Sequence, residues 1–397
     1  MVSRYLGLLA ALVLLIVSVM LGDEPTAVFD PGAWLKARKL GKLATATPQS
    51  GKPLQPLAAS NLDEWEKERA CYETAFRELI GPWPKQRPPL QPRILEQQEF
   101  EKFIRYKVGF RTLPSRAKHA SEIRAWLFVP APAQQPCPAI VVLHQTVPQG
   151  KDEPAGLQPT LPWLAHAVYY AERGYVTLAP DAIGFGERTA GGTARTGFEL
   201  ADAAPILDRH PDMTLLGLML YDVTRCLDYL ETLPEVDPAR IGVLGHSLGG
   251  ILVNCVLGLE PRFSVGIASC GYGLFRTDGQ FPERWAGRNS AYLPRLALYA
   301  GRPEELPIDF LQIMALAAPR PHLVQTCLGD TIWTKSAVAH NAFVMEELRR
   351  VRSFYGEGAE ELFVSIEPGG EDKEKDHGWY PETQIAADAL LEKVLKP

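Results

Sequence analysis

Residues 241–250 read Ile241-Gly242-Val243-Leu244-Gly245-His246-Ser247-Leu248-Gly249-Gly250. Ile241–Leu244 has the apolar, β-branched character of a buried strand. The run from Leu248 to Leu259 has that of a buried helix. Between them stands the pattern Gly-x-Ser-x-Gly. A serine on a tight strand-to-helix turn sits on strained backbone, and flanking glycines let neighbouring segments approach. Its hydroxyl then projects above the sheet, and the helix start behind it contributes positive potential and an N–H at Leu248. This context predicts Ser247 as a nucleophile. The plain alternative is a structural turn with an incidental serine.

Strand and helix patterns alternate on both sides of this turn. Phe103–Phe110 and Ile123–Val129 pattern as an antiparallel pair. Ala139–Leu143 is a continuous apolar run, expected of a strand buried on both faces. A helix around Leu164–Arg173, the strand Tyr175–Ala179 and a helix over Leu215–Leu233 lead to residue 241. After it come the strand Ser264–Ser269, a helix at Asp309–Ala317 and the strand His322–Leu328. Helix Ser336–Tyr355, strand Leu362–Glu367 and helix Glu382–Leu395 follow. Such alternation predicts an α/β fold with a mostly parallel sheet covered by helices on both faces. Ligands of such sheets bind at the C-terminal strand ends.

The serine motif, with Glu235-Val236-Asp237-Pro238-Ala239-Arg240-Ile241-Gly242 before it and Ala318-Pro319-Arg320-Pro321 before a later strand, resembles the α/β-hydrolase superfamily over roughly residues 100–397. These phrases are similar to the dienelactone hydrolase and acetyl xylan esterase branch. The resemblance implies a three-layer αβα sandwich, an eight-stranded sheet and a Ser–acid–His triad in that chain order.

A serine hydroxyl needs a histidine base, and the histidine needs a carboxylate to hold its tautomer. His322, His340 and His377 follow Ser247. His322 begins a strand, away from the catalytic edge, and His340 sits within a helix. His377 falls in a polar loop after the final strand, the superfamily's histidine position, and Asp376-His377-Gly378-Trp379 resembles its local sequence. Asp330, in Gly329-Asp330-Thr331 just past a strand, is the expected acid. Asp376 belongs to an acidic run with Glu371, Asp372 and Glu374 that reads as a solvated face. Asp309 reads as a helix cap.

The strand Ala139–Leu143 exits into His144-Gln145-Thr146. The superfamily places a His-Gly-x segment there, whose last residue supplies an oxyanion N–H. Carried over, the donors are Thr146 and Leu248, with His144 as a structural prop. Gln145 stands where glycine is usual. Its side-chain amide is a rival donor to the backbone. The nearby Gly150-Lys151-Asp152-Glu153-Pro154 reads either as lining the entrance or as a solvated turn. Asp181 and the glycines after it are similar to a turn of the superfamily, a resemblance that implies a structural role.

The chain of 397 residues is 46% hydrophobic and 22% charged, values of a globular protein that exclude disorder for most of its length. A net charge of −6 argues against nucleic-acid binding, which needs a basic surface. Arg4 followed by the apolar run Tyr5–Leu21 reads as a secretory signal ending near residue 22, an uncleaved membrane anchor, or a buried helix. Residues 23–60, with five prolines, read as an extended lead-in. Residues 61–397 form the catalytic domain, beginning with a helix capped by Asn61 and holding a candidate cap at 271–306. In that segment Tyr272, Phe275, Phe281, Trp285 and Tyr292 either stack on substrate or pack on the body. Four of the six cysteines lie in apolar patterns as small hydrophobes. A bridge between Cys71 and Cys137 is left open. No metal-binding motif is present, and no cofactor is expected.

The expectation is a secreted, periplasmic or membrane-anchored hydrolase of carboxylic esters, with a small-molecule or carbohydrate ester as substrate and acetylated polysaccharide suggested by the branch. The alternatives are a peptidase or lactone hydrolase of the same fold, or a catalytically inert binding protein.

Overall fold

The computed structural model describes residues 29–43, 59–131, 136–157, 162–191, 199–287, 291–327, 329–330, 332, 337–356, 358–359, 363–366 and 377–396. The apolar segment at 5–21 and Asp376 lie outside the described residues. No helix among the described residues is long and apolar enough to cross a membrane.

Nine strands make one sheet: β1 (Arg93–Glu99), β2 (Phe103–Arg111), β3 (Glu122–Pro130), β4 (Cys137–Leu143), β5 (Val176–Pro180), β6 (Val236–His246), β7 (Val265–Ser269), β8 (His322–Gln325) and β9 (Phe363–Ile366). Their order across the sheet is β1-β2-β3-β5-β4-β6-β7-β8-β9. From β5 to β9 every neighbouring pair is parallel, and β1, β2 and β3 extend the sheet as an antiparallel edge. The sheet therefore has one strand beyond the expected eight. The addition is β1, exposed at every position. With neither face buried, Arg93-Ile94-Leu95-Glu96-Gln97-Gln98-Glu99 carries no alternation of apolar and polar residues by which it could be recognised.

Strand β4 is apolar and buried throughout because each of its faces meets its own core. In β4, Ala139, Val141 and Leu143 join one cluster, and Ile140 and Val142 join the other. The first cluster includes side chains of α1 (Leu62–Ile80), α3 (Leu215–Leu230), α4 (Leu248–Leu259) and α5 (Phe310–Ala315). The opposite cluster includes α2 (His166–Ala171) and α7 (Pro381–Leu395), while Val344, Leu348 and Val351 of α6 (Ala337–Arg352) belong to the first. Helix α1 starts where Asn61 accepts from the Glu64 N–H and stops at Gly81, whose φ of 84° ends the helical path. It docks by stacking Trp65 on Phe354, with ring centroids 5.1 Å apart.

Within the proline-rich lead-in, Pro31–Ala37 forms a short helix capped by Asp30. Among the described residues, which include all six cysteines, no disulfide is present. Five of the cysteines are buried and Cys71 is half-buried.

Candidate active site

Strand β6 and helix α4 are separated by one residue, Ser247, at φ 53° and ψ −116°. A non-glycine residue in this region costs about 1–3 kcal/mol, so its surroundings must impose it. The Ser247 N–H donates to the Ser269 carbonyl at 2.8 Å, and its carbonyl accepts from Ile251 at 2.9 Å. The flanking glycines are required by space. A Cβ on Gly245 would meet the Gly249 carbonyl carbon at 2.4 Å, and one on Gly249 would meet the Leu143 oxygen at 2.3 Å. The sharp turn, and with it the outward serine, exists only because these segments touch backbone to backbone.

Asp330 lies past the end of β8 and His377 lies ahead of α7. His377 Nδ1 and Asp330 Oδ2 are 2.7 Å apart. The other carboxylate oxygen accepts from the Ile332 N–H at 3.0 Å, which fixes the group's orientation. A carboxylate at Nδ1 holds the proton there and leaves Nε2 as the basic ring nitrogen. Asp330 is 1% exposed, so its carboxylate is shielded from water, while His377 is half-buried. The His377 ring packs against His246, centroids 5.0 Å apart, and His246 immediately precedes Ser247. Thus the serine turn, Asp330 and His377 meet at one edge of the sheet, its C-terminal end.

The other candidates fall elsewhere. His322 opens β8 at the opposite edge, fully buried. Burial pushes its imidazole down to about 3. His340 lies in α6. Asp309 caps α5 in a capping box with Gln312 and also accepts from the Phe275 N–H, the structural role expected of it.

The segment after β4 is held by His144. Its Nε2 accepts from the Ala182 N–H at 3.0 Å, so Nδ1 carries the proton and donates to the Gln145 carbonyl at 2.6 Å. Burial lowers the His144 pKa and keeps the ring neutral, as this arrangement demands. The Gln145 side-chain amide donates to Glu153 Oε1 at 2.8 Å. Thr146 follows, exposed on the same turn. Leu248 is the first residue of α4, where backbone N–H groups lack partners inside the helix.

The Gly150–Pro154 segment is not a solvated turn, since four of its five residues are buried. Gly150–Asp152 is a 3₁₀ turn that inserts Lys151, 1% exposed, beside Asp181 at 2.9 Å and Glu187 at 2.8 Å. Burial alone would lower the Lys151 pKa, but its acidic neighbours, Asp181 first, hold it above the ordinary lysine value. A single lysine among polar residues carries no sequence signal of such burial. In the 271–306 segment Tyr272, Phe275 and Trp285 are core residues, with Phe275 edge-on to Trp285 at 5.2 Å.

Cys270 is an addition to the site that sequence reading assigned to the core. Ligand atoms of Cys270, Asp330 and His377 lie within 4.8 Å of one another, a grouping chemically able to hold a metal. The acid and base face each other, however, and the Cys270 thiol donates to the Gly378 carbonyl at 3.6 Å. Contact with Cys327, together with burial, raises that thiol well above its ordinary value. His246, Ser269 and Gln325 are likewise new here. Each is the last residue of its strand, and apart from His246's place in the serine motif the sequence carried no signal for them.

A profile of the Abhydrolase family matches residues 49–266, and a profile of the prolyl oligopeptidase family matches residues 217–331. The chain is 26% identical over 292 residues to YtaP of Bacillus subtilis (strain 168), a hydrolase by name, covering 72% of this chain and 87% of that one. A glucuronoyl esterase from Solibacter usitatus superposes with a TM-score of 0.64 at 17% identity, covering 89% of this chain and 97% of that one. An acetyl xylan esterase from Paenibacillus sp. R4 superposes with a TM-score of 0.51 at 15% identity, covering 89% and 100%. At these identities the two superpositions are likenesses of fold.

Proposed function

The chain belongs to the Abhydrolase family of α/β-hydrolases, and we infer that it is a serine hydrolase cleaving carboxylic esters through an acyl-enzyme. Ser247 attacks the ester carbonyl while His377 Nε2 takes its proton. Asp330, at Nδ1, holds the tautomer and stabilises the imidazolium. The N–H groups of Leu248 and Thr146 receive the oxyanion. His377 then returns the proton to the departing alkoxide, and a water activated by the same ring releases the acid. No cofactor enters this sequence.

The observation that carries the roles is the 2.7 Å contact of Asp330 with His377 Nδ1, at the strand edge that also bears the strained Ser247 turn. The substrate we propose is a carbohydrate ester, in line with the two superposed esterases. Peptide amides are the second reading, favoured by the prolyl oligopeptidase match across the serine and the acid. We further propose export, on the strength of Arg4 and the apolar run Tyr5–Leu21.

A fluorophosphonate probe and a substrate panel test these readings together. The panel holds short- and long-chain esters, acetylated xylan, a glucuronoyl ester and peptide amides. Labelling of Ser247 with turnover of esters and none of amides is the expected outcome. Turnover of amides alone would transfer the assignment to the peptidase reading. Absence of labelling in folded protein would leave a binding protein.

A further inference from the structure

We propose that Gln325 is a positioning residue of this site, tying the nucleophile turn to the histidine loop through its side-chain amide. The proposal rests on the triad roles assigned above. His246, Ser269 and Gln325 are the last residues of three adjacent parallel strands, and they stand in register, His246 opposite Ser269 and Ser269 opposite Gln325. Side chains in register share a sheet face, so the three form a polar row across the strand ends. All three are buried, at 4%, 0% and 0% exposure.

The direction of each hydrogen bond follows from its chemistry. Gln325 Nε2 lies 3.1 Å from the Gly378 carbonyl, which only accepts, so the amide donates. The Gln325 oxygen then accepts the hydroxyl proton of Ser269. The Ser269 oxygen, having given its proton, accepts from His246 Nδ1 at 2.8 Å. Burial, with His377 nearby, lowers the His246 pKa well below the ordinary value, so the ring stays neutral and Nδ1–H is its tautomer.

One end of this chain is the residue before Ser247 and the other is the residue after His377. Ser269 holds the nucleophile a second way, through its backbone carbonyl on the Ser247 N–H. Gln325 itself touches neither reacting group. It acts by fixing the Gly378 carbonyl, and hence the His377 backbone, relative to β7. An amide is suited to this place because it accepts a hydroxyl proton on one atom and donates to a carbonyl from the other. Burying such a row is costly unless its members are paired, and the Gln325 amide, besides Gly378, also donates to Cys327 Sγ at 3.0 Å.

The test compares wild type with Gln325→Met, which removes donor and acceptor, Gln325→Glu, which removes the donor when ionised, and Ser269→Ala. The readouts are kcat and KM on an ester, the second-order rate of fluorophosphonate labelling, and the thermal transition. Gln325→Met is expected to lower kcat about 10- to 100-fold, the scale of an ångström-sized misplacement. KM stays within about twofold, and the labelling rate falls in parallel with kcat. Ser269→Ala gives a smaller loss in the same direction. The double variant is no worse than Gln325→Met alone, because the chain is already broken. A folded Gln325→Met with wild-type kcat, or with a raised KM alone, overturns the proposal. If neither glutamine variant folds, Ser269→Ala carries the test, and wild-type kcat and labelling there overturn it equally. Ser247→Ala keeps the two levels apart: retained hydrolysis in that variant refutes the triad itself. Its inactivity beside an unaffected Gln325→Met refutes only the positioning role.

Discussion

The side-chain amide of Gln145 donates to the carboxylate of Glu153 at 2.8 Å, turning it toward the buried Gly150–Pro154 segment. Gln145 occupies the place where the resemblance to the α/β-hydrolase superfamily implies glycine, and its amide is the rival to the backbone as an oxyanion donor. An amide engaged by a carboxylate that is 1% exposed is held in a structural bond.

Gln145→Ala is therefore expected to lower kcat less than about tenfold. Removing one hydrogen-bond donor from a buried carboxylate should lower stability by about 1–3 kcal/mol. Steady-state kinetics and denaturant unfolding measure the two effects separately. A fall in kcat of about 100-fold or more at unchanged stability and KM is the behaviour of a side-chain oxyanion donor and would move Gln145 into the catalytic set.

Ser247→Ala should abolish phosphonate labelling and reduce ester hydrolysis by about 10⁴- to 10⁶-fold. The thermal transition should be kept or raised, since alanine at the same φ loses no packing partner beyond the hydroxyl. Near wild-type turnover in this variant would remove the nucleophile assignment.

Asp330→Asn leaves a group of the same shape at His377 Nδ1 but favours the wrong imidazole tautomer. A loss in kcat of roughly 10³- to 10⁴-fold is expected. Asp376→Asn should cost little. Kinetics of the two variants at one pH decide between them, and a larger loss at Asp376 would contradict the strand-exit assignment.

Two fully buried histidines outside the reaction set part of the acid sensitivity. His322 and His166 are both pushed down to about 3 by burial, against an ordinary value of 6.5. Their folded-state pKa is depressed, so below 6.5 the unfolded chain binds more protons than the folded one. Their contribution to stability is complete above pH 6.5 and is lost as pH falls toward 3, by up to about 1.4 kcal/mol per pH unit for each histidine. His322→Phe should flatten this slope. The variant's unfolding midpoint in urea between pH 6.5 and 4 should fall less than that of wild type, and parallel lines for the two proteins would refute the linkage.

Much of this protein is determined locally. Gly245, Ser247 and Gly249 between an apolar strand and an apolar helix imply the turn, because only glycines tolerate the backbone contacts that it makes at Leu143 and Gly249. The parallel core was legible because its strands carry apolar runs where both faces are covered, and Asp330 and His377 were proposed because each comes after a strand, Asp330 after β8 and His377 after β9. What the tertiary structure alone decided are features with no local pattern. Strand β1 is exposed at every position, so no burial shaped its residues. Lys151 is polar by type and buried by circumstance, its charge held by Asp181, which lies thirty residues away in sequence. His246, Ser269 and Gln325 form a row because three strands, separated by long connections, arrive in register. Periodicity reports which face of an element meets the core. Hydrogen bonds between strand ends depend on register and strand order, which a linear pattern does not encode.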